Sequence, residues 1–147
     1  MNINAKYFGT VSYEKKDLIF LPEGLFGFES YKNFLPIPFD KNNDTLLSLQ
    51  STDDESLSFI LMNPFVFFPD YCPELSQKDK KDLALHSEEE LSYYVICVLN
   101  DSLSHSTANL KAPLAVNAIT RTGKQVILDS ADYSFKQPVP YNSERRE

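Results

Sequence analysis

The sequence predicts a mainly β protein, a small antiparallel β-barrel-like or sandwich domain with one or two short helices. Three observations carry this reading. Extended apolar segments outnumber helical patterns along the 147 residues, and no regular alternation of strand and helix appears, which argues against a doubly wound parallel sheet. Leu46–Met62 reads as two hydrophobic strands joined by a short acidic turn. Leu91–Leu99 (LSYYVICVL) is apolar on both faces, the pattern of a central strand covered from two sides.

Taken in order, Ala5–Tyr13 alternates loosely and is interrupted by Gly9, which predicts a strand with a bend or bulge. Asp17–Leu21 predicts a second short strand, joined to the first by a hairpin over Glu14-Lys15-Lys16. Pro22-Glu23-Gly24 ends that pairing. Gly24-Leu25-Phe26-Gly27-Phe28 forms an apolar loop holding two of the four glycines, residues suited to positive φ or a close backbone approach. Asn33–Phe39 is extended, and Pro36 and Pro38 confine it to a sheet edge or to irregular structure, because proline has no N–H to donate. Strands at Leu46–Ser51 and Leu57–Met62 flank the turn Thr52–Ser56.

Phe59, Phe65, Phe67, Phe68 and Tyr71 place five aromatics in thirteen residues. Pro64 and Pro69 push the residues before them out of helical space, so this run is not a plain helix. Such a cluster belongs in a core or against a partner. Phe59, between Leu57 and Leu61 on one strand face, is expected to be buried. Ser76-Gln-Lys-Asp79 has the form of a capping box and opens a short helix to about Leu85; Ser87-Glu-Glu-Glu90 caps another turn. In the strand Leu91–Leu99, Leu91, Tyr93, Val95, Cys97 and Leu99 point one way and Tyr94, Ile96 and Val98 the other. Ala112–Thr120 and Lys124–Asp129 predict a hairpin across Arg121-Thr122-Gly123. Residues 1–135 read as a single β domain and 136–147 as a polar, proline-containing, flexible tail.

The 42% hydrophobic content suffices for a core at this length. No apolar run approaches the roughly 18 residues of a membrane span, and the first residues lack a signal-peptide pattern, so the expected location is the cytoplasm. Cys72 and Cys97 stand far apart without a CxxC motif, and Cys97 lies in an apolar strand, where a thiol packs as a small hydrophobe. The net charge of −7 disfavours direct binding to RNA or DNA. It suits a basic protein partner, although solubility alone also explains it.

Candidate chemistry is sparse. Asp40-x-Asn42-x-Asp44 starts like a calcium loop, but Thr45 replaces the turn glycine and Ser51 the bidentate glutamate, so a solvated loop is expected. His86 and His105 are too few, and too far from either cysteine, for zinc. His105 among Ser102, Ser104 and Ser106, near Asp101, sketches a Ser–His–Asp arrangement, yet no GxSxG elbow supports a nucleophile. No phosphate-cradling glycine loop is present. Neither an enzyme, a cofactor nor a metal is expected. The acidic trio Asp53-Asp54-Glu55 follows from turn propensity alone, and it also offers a way to steer a basic partner.

Four ordered segments carry a family resemblance. They are Asn4-Ala-Lys-Tyr-Phe-Gly9, Leu21-Pro-Glu-Gly-Leu-Phe-Gly-Phe-Glu29, Leu49-Gln-Ser…Asp53…Phe59…Asn63-Pro-Phe…Phe68-Pro-Asp-Tyr71, and Thr107-Ala-Asn-Leu-Lys-Ala-Pro113 with Gly123-Lys-Gln-Val-Ile-Leu128 and Tyr133. In that order and at that spacing the chain resembles the flagellar assembly factor FliW family over nearly its whole length. Phe26 stands where the family often has proline, Cys72-Pro73 follows the PDY element, and Ser102–Ser106 is serine-rich. The resemblance implies a small barrel-like antiparallel fold without catalysis. It further implies binding to the RNA-binding translational regulator CsrA, relieving repression of flagellin synthesis, and binding to flagellin itself. Partner contacts are then expected from Asp53 and Asp54 on the turn, and from Phe65, Phe67, Asp70 and Tyr71 in the proline-bounded run. The alternative is a small-molecule-binding β-barrel whose aromatics line an internal cavity. Ligand lining turns those rings inward around a pocket; a partner surface leaves them exposed.

Overall fold

The computed structural model describes residues 1–102 and 105–140. A separate hairpin pairs β1 (Asn2–Ala5) with β2 (Gly9–Ser12). Strands β3 (Ile19–Phe20), β4 (Asn33–Pro38), β5 (Leu46–Ser51), β6 (Ser58–Met62) and β7 (Leu91–Val98) then lie side by side as an antiparallel meander. Two short helices, α1 (Pro64–Phe67) and α2 (Gln77–Asp82), fall between β6 and β7. The chain continues through β8 (Thr107–Ala108), β9 (Leu114–Asn117), β10 (Thr122–Gln125) and β11 (Gln137–Pro138).

The β9–β10 hairpin closes the meander into a seven-stranded barrel. β9 pairs antiparallel with β7 from Leu91↔Asn117 to Tyr94↔Leu114, and β10 meets β3 in a short parallel contact, Thr122↔Phe20. β7 is long enough to serve two neighbours on one edge. Its first half takes β9, and Cys97 and Val98 take β8, to which β11 adds a last antiparallel pair.

Strand alternation sorts the apolar side chains into two cores. The barrel interior holds Ile19, Leu21, Phe34, Leu47, Leu49, Leu61, Leu114 and Val116, with Tyr94 and Ile96 packed against them. Gly123 faces Val116 across β9–β10, and a Cβ there would lie 2.8 Å from Leu21 Cδ2, so the glycine makes room for the leucine. The second core lies on the outside, where Met62, Val95, Cys97 and Ala115 meet Tyr71, Leu75, Leu83, Leu110, Val126, Leu128 and Val139. β7 therefore contributes to both, as its two apolar faces predict. The cover fails only at its end, where Val98 is exposed.

Several local expectations are corrected. Gly9, at φ +69°, opens a strand of its own instead of bending one, because the chain reverses over Lys6–Phe8. No hairpin forms over Glu14–Lys16. Lys15–Asp17 is a 3-10 turn in which the Asp17 carboxylate accepts the Glu14 N–H at 2.9 Å, and it redirects the chain so that Ile19-Phe20 pairs with β4 and β10. β4 lies inside the sheet despite its two prolines. Phe39 N–H and Asn33 C=O bond toward β5, whereas Pro36 and Pro38 turn their ring nitrogens to the other side, beyond the end of the two-residue β3.

The aromatic run contains the helical turn α1. Its Asn63 carboxamide accepts the Phe65 N–H at 3.1 Å, and Pro64 sits in the first turn, where no N–H donor is needed. The proline restriction acts at Asn63 and Phe68, both non-helical, and leaves one turn free between them. Phe59 is half-buried rather than buried: it faces the interior near the rim, edge-on to Phe28 at 5.0 Å and to Phe34 at 6.2 Å. The β9–β10 turn is Ala118–Arg121, with Gly123 inside the strand. The described fold also runs past residue 135, since Gln137-Pro138 pairs with β8 and Val139 is buried; the remainder of the expected tail, 141–147, lies outside the described residues.

Candidate partner-binding surface

The segment from Pro64 to Leu85 forms a strap over the outer face of β6, β7 and β9. Its inward side chains anchor it. Phe67, Phe68, Tyr71, Leu75 and Leu83 enter the outer core. The Tyr71 hydroxyl donates to Leu110 C=O at 2.7 Å, and its ring meets Tyr133 edge-on at 4.8 Å; the Tyr133 hydroxyl in turn accepts the Cys72 N–H at 2.9 Å. Burial holds the Tyr71 phenol well above its ordinary range and pushes that of Tyr93 up to about 12, so both stay protonated at neutral pH. Tyr71 is 5% exposed and acts as a pin for the strap, not as an open contact.

The outward side chains differ. Phe65 (43% exposed) and Val66 (54%) stand on the α1 turn, with the Phe65 ring 6.0 Å from Tyr71 and 6.3 Å from Tyr93. Asp70, Cys72 and Glu74 are exposed along the strap. Four grooves adjoin it. The first, of about 560 Å³, lies between Lys80, Lys81, His86 and Glu88. The other three are richer in carboxylates. One of about 680 Å³ runs between Phe65, Glu74, Glu88 and Tyr93. A second, about 620 Å³, lies among Glu74, Asp79, Asp129 and Asp132, and a third, about 330 Å³, lies beside Phe68, Asp70 and Tyr133. Among the described residues six carboxylates line these three grooves. Glu88 lies 3.8 Å from Lys80 and Asp79 is paired with Lys124 at 2.8 Å, which leaves Asp70, Glu74, Asp129 and Asp132 without an ion-pair partner among the described residues. The result is an acidic, grooved surface with an apolar knob at one end, suited to a basic protein surface that carries apolar side chains.

Phe65, Phe67, Asp70 and Tyr71 are thus brought together, with Phe65 and Asp70 outward and Phe67 and Tyr71 largely inward. Asp53 and Asp54 are not brought to them. They lie at the far end of β6, roughly 16 Å along five residues of strand. There Asp54 Oδ1 accepts the Ser56 N–H at 3.0 Å and the Ser56 hydroxyl at 2.6 Å, which lowers its pKa, and Glu55 accepts the Asn4 N–H at 3.1 Å. Turn chemistry accounts for Asp54 and Glu55; Asp53 and Glu55 are both exposed. Sequence reasoning missed Val66, Glu74, Asp129 and Asp132, since the last two reach the strap only through the C-terminal segment.

The remaining candidates resolve into local structure. Asp40 accepts the Asn42 N–H and the Asn43 side-chain amide, closing its own loop. His105 Nδ1 lies 2.8 Å from Asp101 in an exposed pair, while the Ser106 hydroxyl donates to Ser102 C=O; Ser104 is outside the described residues. Cys97 is buried, and burial pushes its thiol up to about 12. The barrel interior is filled with leucine, isoleucine and phenylalanine side chains, and the aromatic run packs on the barrel's outside.

The model of the FliW protein family matches residues 2–139. The chain belongs to the FliW family. Similar proteins named flagellar assembly factor FliW include one from Caldanaerobacter subterraneus subsp. tengcongensis, 38% identical over 95% of this chain and 93% of the relative. Another, from Shouchella clausii, is 37% identical over 95% of this chain and 94% of its own length. The crystal structure of a flagellar assembly factor FliW superposes with a TM-score of 0.89 at 31% identity, covering 97% of this chain and 99% of that one. The barrel, the strap and the closing β9–β10 hairpin all fall within the matched span of this FliW-family chain. Among the described residues no helix is long and apolar enough to cross a membrane.

Proposed function

We propose that this chain is a cytoplasmic flagellar assembly factor that binds a CsrA-like translational regulator directly, without RNA, and antagonises its repression of flagellin synthesis. It also binds flagellin, so that the flagellin level is read by competition for the protein, and it performs no catalysis and needs no cofactor. Family membership supports the role. The single observation that carries the binding mode is the strap surface, where Phe65 and Val66 are exposed and the adjoining grooves carry Asp70, Glu74, Asp129 and Asp132. An RNA-binding regulator presents the complementary basic surface.

The test is titration calorimetry with the purified regulator from the same organism, at low and high salt. Micromolar binding that slows and weakens as salt screens charges beyond about 8 Å is expected. The double variant Asp70→Lys/Glu74→Lys and the single variant Phe65→Ser should each weaken binding by about tenfold or more while leaving the melting temperature nearly unchanged. Asp53→Lys measures whether the interface extends to the other end of β6. No heat and no co-elution at micromolar concentrations would end this reading. A stable ternary complex with flagellin at saturation would count against competition for one site.

A further inference from the structure

A groove of opposite charge lies away from the strap. Lys15, Lys16, Leu18, Phe20, Arg121 and Thr122 line about 500 Å³ between the 3-10 turn, β3 and the β9–β10 turn. Among the described residues no carboxylate side chain lines it, in a chain of net charge −7. Lys16 is paired with Glu14 at 3.2 Å, in solvent. Lys15 and Arg121 have no carboxylate within ion-pair distance among the described residues. The Asp17 carboxylate is turned back onto the Glu14 N–H, so it offers Arg121 only its backbone oxygen, which accepts from Nη2 at 2.8 Å.

Arg121 carries two further signs of an incomplete site. Its Nε is shut off from solvent and meets no acceptor among the described residues, although a buried charged donor normally finds one. Its backbone adopts φ +62°, a conformation that glycine or asparagine takes with less strain. An arginine is nevertheless placed there, on a tight turn held by Asn117, whose side-chain oxygen accepts the Ile119 and Thr120 N–H groups. Beside the charges the groove has an apolar wall: Leu18 is half-buried and Phe20 is 45% exposed.

We propose that this groove is a second binding site, for an acidic peptide segment of a partner protein, one that carries an apolar side chain next to its carboxylate. Arg121 and Lys15 receive the carboxylate, and Phe20 and Leu18 receive the apolar neighbour. A guanidinium matches a carboxylate in charge and in geometry. The volume accommodates a few side chains. A nucleic-acid strand is the poorer occupant, because phosphates beyond the groove would meet an otherwise acidic surface. The site and the strap have opposite charge, so one charged segment does not satisfy both.

The test is fluorescence polarisation with a labelled octapeptide alternating Glu with Leu and Phe. Controls are the same peptide with Gln for Glu and a labelled single-stranded RNA of equal charge. Saturable, salt-sensitive binding of the acidic peptide is expected, at least about tenfold weaker for the Gln peptide and for Arg121→Asn. Asparagine tolerates the left-handed backbone, so that variant should stay folded. Lys15→Glu, on the exposed turn, gives a second reading if Arg121→Asn melts early, and should weaken binding as well. Asp70→Lys/Glu74→Lys on the strap should leave peptide binding in place. Absence of saturable binding up to millimolar peptide, unchanged binding in both groove variants, or a preference for the RNA would overturn the proposal.

Discussion

Gln50 and Lys6 are joined across 44 residues of chain: the buried Gln50 side-chain oxygen accepts the Lys6 backbone N–H at 2.8 Å. The amide nitrogen of the same side chain donates to the carbonyls of Ser51, Glu55 and Leu57 at 3.1–3.2 Å. One glutamine therefore ties the separate β1–β2 hairpin to the β5–β6 turn. It also satisfies backbone groups at a partly buried junction.

Replacing Gln50 with alanine removes this partner from the Lys6 N–H and the Ser51 and Glu55 carbonyls, while the Leu57 carbonyl keeps the Ser51 N–H at 2.9 Å. Each buried unsatisfied group costs about 1–3 kcal/mol. Gln50→Ala is expected to destabilise the protein by about 3 kcal/mol in urea unfolding. Hydrogen exchange at Lys6 should accelerate by more than the global change requires. An unchanged midpoint would show that water replaces the amide at no cost.

The loop Gly24–Phe28 separates two demands on glycine. At Gly24, φ is +65° and a Cβ would lie 2.6 Å from Glu29 Cα and 2.7 Å from Phe28 O, both backbone atoms. At Gly27, φ is +85° and nothing lies within 4 Å. Gly27→Ala should therefore carry only the left-handed penalty of about 1–2 kcal/mol, and Gly24→Ala clearly more, because a backbone clash is added. Thermal melting of the two variants side by side measures the difference; equal losses would mean that the loop shifts to relieve the clash.

Lys124 links β10 to the strap. Its ammonium lies 2.8 Å from Asp79 and 2.7 Å from Asp82, and 3.7 Å from Glu23, with its side chain 15% exposed. Hydrogen bonds from Lys124, then Lys78, lower the Asp82 carboxyl from 3.8 to about 2. A depressed carboxylate contributes stability that is fully present above its unfolded pKa, so this contribution fades as the pH falls from 3.8 through about 2. Hydrogen bonds to Asp79 and Asp82 raise the Lys124 ammonium above its ordinary 10.5. Its contribution is present below 10.5 and is lost as the pH rises beyond it. Lys124→Met should flatten both limbs of the stability–pH curve relative to the wild type. Parallel curves for the two proteins would remove the cluster from the pH response.

Some local signals agree with the structure, although the Glu14–Lys16 turn and the position of the β9–β10 turn do not. The Ser76 cap forms as its sequence indicates, with its hydroxyl accepting the Asp79 N–H at 3.1 Å, and the β5–β6 hairpin closes over its acidic turn. A distant partner decides the placement of β4. Pro36 and Pro38 argue for an edge, yet β4 is interior because the shortness of β3 leaves their side of the strand unpaired. Of the candidate site, Phe65 and Asp70 could be named from the proline-bounded run, whereas Asp129 and Asp132 reach the same grooves from sixty residues away.

The amino-acid pattern by itself determined the β class, the two-faced character of β7, the thiol burial at Cys97 and the acidic surface, since each depends on composition or on a short period along one strand. Tertiary structure decided which way each aromatic of the strap points and which charges meet. Closure of the barrel through β10 and β3 sets the Arg121 turn beside Lys15, and packing of the strap on β7 turns Tyr71 inward and Phe65 outward. Those outcomes depend on contacts between residues far apart in the chain, whose geometry no local spacing encodes.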